Sequence, residues 1–268
     1  MNPPHRMAGE IDSGGATMGG VTLRVDLVVP VKPLPKAKTR LRGAADGGVG
    51  DLDAHLRLAL ALARDTVCAA LASGAVRHVV VISSDPAVAL EVGGLGAEVV
   101  TDPGRGLNGA LRHGAARLYL RSGRRGAGGA GSDAVAIGAL QADLPALRPA
   151  DLDDAVAHAA ALFATGVERV FQPDEPGTGT TLLLAAPGRD LDPHFGGASA
   201  AAHTSSGAVV LPGDRPGLRR DVDTAADLES AVALGVGAWT RAVLDARGAL
   251  PRPGPAPDAD GPVVCPKV

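Results

Sequence analysis

The chain has 268 residues, with 26 Lys and Arg against 29 Asp and Glu, a formal net charge of -3 and only 2% aromatic residues. That balance excludes a global electrostatic pull toward nucleic acid or an anionic membrane, so any anion site has to be local. The scarcity of rings leaves an aliphatic core and rules out aromatic stacking as the main way to hold a base. No apolar run approaches the length of a spanning helix, and the first twenty residues lack the apolar core of a signal peptide, so a cytoplasmic protein is expected.

Residues 1–21 show no periodicity and are expected to form a disordered leader. Val25 to Val31 is a short apolar strand that runs into Lys32-Pro-Leu-Pro-Lys36-Ala-Lys38-Thr39-Arg40, where prolines disfavour helix and four cations fall within nine residues. At the carboxyl end of a strand such a loop suits a polyphosphate, although a solvated basic loop has the same composition. Leu52 to Ala72 keeps helical spacing, with Asp51 or Asp53 as N-cap and Ser73-Gly74 as stop. Cys68 lies in that helical pattern and Cys265 in a Pro-rich tail, a poor arrangement for a structural disulfide, so both read as free thiols.

Arg77 to Ser83 is a second buried strand, after which Ser84-Asp85-Pro86 reads as a loop, and Ala97 to Val100 is a third strand. The Gly-rich turn Thr101 to Gly109 leads into a helix from about Asn108 to Arg121 and offers backbone N–H groups to an anion or a base edge; Asn108 is either an N-cap or a nucleotide contact. Ser122 to Ser132 is a Gly/Arg/Ala insertion. Ala134 to Leu140 is a continuous apolar run, as expected of a strand buried on both faces, and ends in Gln141-Ala-Asp143-Leu-Pro145. A carboxylate at the ligand-binding edge of an open α/β sheet is a candidate metal ligand; an Asp that caps the following segment is the plainer reading.

Pro149 to Thr165 is helical by spacing, Glu168 to Gln172 a short strand, and Gly177-Thr-Gly-Thr180 a small-residue turn that either lets a ligand approach closely or is an ordinary tight turn entering a strand, Leu182 to Ala185. Phe195-Gly-Gly-Ala-Ser199 opens a helical run to His203, and Gly207 to Leu211 is another strand. In Asp221-Val-Asp223-Thr-Ala-Ala-Asp227, an extended backbone would turn Asp221 and Asp223 to the same side, while Thr224 and Asp227 make a capping box. From about Gly248 the composition is that of a disordered tail.

Taken in order, Val29-Pro-Val-Lys-Pro-Leu with Ala37-Lys-Thr-Arg-Leu, Asp102 through Asn108, Leu140-Gln-Ala-Asp-Leu-Pro145, Gly177-Thr-Gly-Thr180, Phe195-Gly through Ser199 with His203, and Asp221-Val-Asp-Thr through Leu228 resemble the guanylyltransferases of coenzyme F-420 biosynthesis. These enzymes join GMP to phosphoenolpyruvate or 2-phospho-L-lactate. The resemblance covers roughly residues 24 to 244 and implies an α/β, nucleotide-diphospho-sugar-transferase-like (Rossmann-like) fold with a mixed, mostly parallel sheet flanked by helices, in a single domain over 22–247. It implies Mg2+ on Asp143, Asp221 and Asp223, catalytic roles for Asp143, Lys32 and Lys38, and GTP contacts from Lys32, Lys38, Arg40, Asn108 and Asp143. Thr180 (or its neighbour Thr181), Gly196 and Ser199 would hold the phosphorylated acid.

Nucleic-acid and membrane partners are not expected, and a homodimer is left open. No Ser–His–Asp set, metal-spaced cysteines or Walker-type Gly-Lys-Ser is present, against hydrolase, zinc and P-loop readings. The competing readings are another nucleotidyl- or glycosyltransferase of the same fold and a non-catalytic nucleotide-binding protein.

Overall fold

A computed structural model describes residues 17–18, 21–121 and 133–246 of the chain. The apolar runs become adjacent strands because each must bury both faces. Strand β2 (Val21–Pro30) lies between β3 (Val76–Ile82) and β5 (Asp133–Leu140), parallel to both. Beyond β3 comes β4 (Glu98–Val100), also parallel. Beyond β5 the order continues β7 (Thr180–Ala185), β6 (Arg169–Pro173) and β8 (Val209–Val210). Strand β7 runs antiparallel to β5 and β6, and β8 runs parallel to β6. The sheet is therefore mixed and mostly parallel, as expected, with β8 shorter than its apolar run.

A two-residue strand, β1 (Thr17–Met18), pairs antiparallel with Val21 and Thr22. This corrects the reading of 1–21 as wholly disordered. The cause is a free edge: β2 pairs with β5 from Thr22 onward but with β3 only from Val25, so the first residues of β2 have unpaired backbone groups on one side. The rest of the leader, the 122–132 insertion and the tail beyond 246 lie outside the described residues.

Helix α1 (Leu52–Ala72) has the expected bounds, and the Asp51 carboxylate accepts from the Ala54 N–H at its start. The Ser84-Asp85-Pro86 loop is corrected to a helix start: Asp85 accepts from Ala87 and Val88 and Pro86 opens α2 (Pro86–Gly94), since Asp before Pro is also an N-cap signature. Helix α3 (Gly106–Arg121) follows β4, and α4 (Pro149–Ala164) follows β5. Period-two alternation divides β2 between two layers of core. Leu23, Val25, Leu27 and Val29 pack with residues of α1 and α4, whereas Val28 packs with Leu111 and Leu118 of α3.

Past β7 come α5 (Ser199–Ser205), α6 (Pro216–Arg219), α7 (Ala225–Leu234) with the expected Thr224–Asp227 capping box, and α8 (Ala238–Asp245). Local sequence gave no sign of α8 because its cap is remote: the buried Asp65 of α1 accepts from the N–H groups of Trp239 and Thr240. Cys68 is disulfide-bonded, which corrects its reading as a free thiol. Helical spacing reports the face on which a cysteine lies and not its bonding; the chain's other cysteine, Cys265, is outside the described residues. No helix among the described residues is long and apolar enough to cross a membrane.

Candidate active site

The carboxyl ends of β2, β3, β4, β5 and β6 and the start of the antiparallel β7 share one edge of the sheet, the edge at which open α/β folds bind ligands. Asp143 lies just past β5. Its segment is held by the Gln141 N–H donating to the Thr181 carbonyl at 2.9 Å and by the Leu144 N–H donating to Thr66 Oγ1 at 2.9 Å. The Asp143 carbonyl in turn accepts from the Val222 N–H at 3.0 Å. Val222 is fully buried among Leu41, Leu58, Ala146 and Leu228, which turns its neighbours Asp221 and Asp223 away from that core. Carboxylate oxygens of Asp143, Asp221 and Asp223 consequently lie within 4.8 Å of one another.

Opposite stands the loop from Lys32 to Arg40. Its prolines do not keep it wholly out of helix, since Leu34–Lys36 and Thr39–Leu41 are single 3₁₀ turns, the short form that tolerates proline in its first turn. Two residues remote in sequence pin it. Asp85 accepts from the Leu34 N–H at 2.8 Å, and His55 Nε2 bonds the Ala37 carbonyl at 2.8 Å. Lys38 then adopts the left-handed conformation, φ 51° and ψ 41°, and its ammonium bonds both Asp143 and Asp223. Burial alone would lower the pKa of Lys38, but the two carboxylates outweigh it and hold the ammonium well above its usual value. Asp221 is pushed up to about 7, by burial first and then by the Asp143 charge beside it.

These groups line a cleft of about 450 Å³. It brings together Lys32, Lys38 and Arg40 from one loop, Asp143, Asp221 and Asp223 facing them, and Gly196 from a third segment. Thr180, Ser199 and Asn108 are not in its lining. Thr180 and Ser199 are buried, the Thr180 hydroxyl bonds His203 Nδ1 at 2.9 Å, and the Asn108 amide bonds the backbone of Phe195. A larger cleft of about 630 Å³, lined by Arg112, Tyr119, Arg169 and Asp190 among others, has no such carboxylate cluster.

The donor set fits a hard divalent cation. Three carboxylates converge, the Lys38 ammonium stands among them as a cation, and Asp143 Oδ1 is buried without a hydrogen-bond partner. Cationic side chains across the cleft suit a polyphosphate beside such an ion.

No family model matches the chain. A protein of Geodermatophilus obscurus named phosphoenolpyruvate guanylyltransferase is 54% identical over 219 residues, 81% of this chain and 93% of that one. Proteins of the same name from Salinispora arenicola and Streptomyces avermitilis are 54% and 50% identical, over 80% and 85% of this chain and 90% and 96% of theirs. Among solved structures, a protein of Desulfovibrio desulfuricans assigned as a nucleotide-diphospho-sugar transferase matches with a TM-score of 0.52 at 15% identity, over 78% of this chain and 96% of that one, a likeness of fold.

Proposed function

The chain belongs to the phosphoenolpyruvate guanylyltransferase family, and from that premise we propose that it transfers GMP from GTP to phosphoenolpyruvate, releasing pyrophosphate. The observation that carries the reading is the carboxylate cluster facing the Lys32–Arg40 loop across one cleft. A phosphate oxygen of the acid attacks the α-phosphorus of GTP; the bond to the new bridging oxygen forms as the bond to pyrophosphate breaks. The attacking phosphate is already anionic at neutral pH, so no base of unusual pKa is required. Charge neutralisation and in-line placement supply the rate.

A Mg2+ ion held by Asp143, Asp221 and Asp223 would neutralise phosphate charge and orient the reacting oxygens. Lys32, Lys38 and Arg40 bind the triphosphate, with Lys38 leaving its carboxylates to do so. Gly196 presents backbone to the acid, with Thr180 and Ser199 in the same subsite. A homodimer, a cytoplasmic setting and delivery of the product to coenzyme F-420 biosynthesis belong to the same proposal.

The test is incubation of pure protein with GTP, Mg2+ and either phosphoenolpyruvate or 2-phospho-L-lactate, with pyrophosphate and product mass as readouts. Phosphoenolpyruvate is expected to yield enolpyruvyl-diphospho-guanosine. Turnover with a sugar phosphate and with neither acid would overturn the reading in favour of a sugar-nucleotide enzyme of the same fold.

A further inference from the structure

We propose that Asn108 and His203 are positioning residues that pin the His194–Gly196 backbone from two sides and so fix the acid subsite. The proposal rests on the guanylyltransferase reading in placing the acid at Gly196. Gly196 and Gly197 both have positive φ, 112° and 44°, a conformation that favours glycine and leaves the segment little stiffness of its own. Its order has to come from neighbours.

Asn108, in the first turn of α3, supplies two hydrogen bonds. Its Nδ2 donates to the Phe195 carbonyl at 2.9 Å, and its Oδ1 accepts from the Phe195 N–H at 2.8 Å. From α5, the fully buried His203 accepts the His194 N–H on Nε2 at 3.0 Å. An Nε2 that accepts leaves the proton of a neutral ring on Nδ1, from which it is donated to the Thr180 hydroxyl at 2.9 Å. The ring is clasped by Phe171 and Phe195, at centroid distances of 5.6 and 5.1 Å. Burial, and then the neighbouring His194 imidazole, push His203 down to about 4, so it stays neutral and keeps this tautomer in working conditions. One side chain thus joins the resemblance's Thr180 to the loop carrying Gly196, and Asn108 closes the same loop from the opposite element. Neither lines the cleft, so both act through the backbone they hold.

Isosteric logic supplies the test. Gln places an acceptor near the position of Nε2, whereas Asn mimics only Nδ1. His203→Gln should therefore keep the His194 bond, and His203→Asn should lose it. Expected are a KM for phosphoenolpyruvate within about twofold of wild type in His203→Gln and a rise of roughly tenfold or more in His203→Asn and Asn108→Ala, with the KM for GTP nearly unchanged in the two His203 variants. Amide hydrogen exchange, read on the same proteins, should show His194 losing protection in His203→Asn and Phe195 losing it in Asn108→Ala. Equal behaviour of the two His203 variants, or a parallel fall in kcat and both substrate affinities that tracks melting temperature, would overturn the proposal and leave ordinary packing. A wild type inert with both acids would instead overturn the functional reading, and the amide-exchange pattern would still decide whether the pin exists.

Discussion

Lys38→Met should move two binding equilibria in opposite directions. In the free protein the ammonium occupies carboxylates that a divalent cation would use, bonding Asp143 and Asp223. A unit-charge pair at about 4 Å in an effective dielectric of about 20 is worth about 4 kcal/mol. The Asp223 side chain is 54% exposed, so its share falls below about 1 kcal/mol, while Asp143, at 15%, keeps more of its own. Removing the competitor should tighten Mn2+ binding without nucleotide by roughly tenfold or more. With GTP, the loss of a charge-assisted bond to the triphosphate, about 1.5–3 kcal/mol, should weaken binding roughly ten- to hundredfold. Lys38→Gly is the control: it loses the same charge but removes a left-handed strain of about 1–2 kcal/mol, so it should melt higher than Lys38→Met with the same binding changes. Calorimetric Mn2+ titration of the nucleotide-free protein and the KM for GTP provide the two readouts. Unchanged Mn2+ affinity with unchanged GTP affinity would return the loop to a solvated surface.

Asp143→Asn or Asp223→Asn should lower turnover by at least about a hundredfold in the pyrophosphate assay while leaving circular dichroism intact, because metal charge stabilisation is worth several kcal/mol; normal kinetics in both would remove the assignment. Because Asp221 is pushed up to about 7 from its ordinary value near 3.8, its contribution to the stability of the metal-free protein is full below about pH 4 and is lost as pH rises through about 7. Melts at pH 5 and pH 8 should show that loss in wild type, relief of it by Mg2+ at pH 8, and a smaller pH dependence in Asp221→Asn. Gly138→Ala would bring a Cβ to 2.8 Å from Leu27 Cδ2 in the strand that leads to Asp143, so denaturant titration should show a loss of about 1–3 kcal/mol with the KM for GTP little changed.

Features set by local chemistry were legible in the sequence. The α1 bounds follow from an Asp cap and a Ser-Gly stop, the buried strands from unbroken apolar runs, and the shared side of Asp221 and Asp223 from their spacing of two. Features set by a partner remote in sequence were not. Asp85 and His55 read as a loop residue and a helix residue, and only the packing of β3 and α1 beside β2 brings them to the Lys38 loop. The α8 cap is Asp65, distant along the chain, so no window around Ala238 contains it. Asn108 offered two readings, cap or nucleotide contact, and neither foretold that its amide holds Phe195, a bond that requires α3 and the segment after β7 to meet.

The hydrogen bond between the Val222 N–H and the Asp143 carbonyl links the centre of the chain to its last third. During synthesis the strands from β2 to β5 leave the ribosome first and can pair before Asp221 and Asp223 exist. A chain at that stage would offer a divalent ion only Asp143 of the three carboxylates. The complete carboxylate set arises only when the late segment crosses back to β5, so metal uptake would report that the chain has finished folding, and a truncation before Val222 would leave a sheet without it.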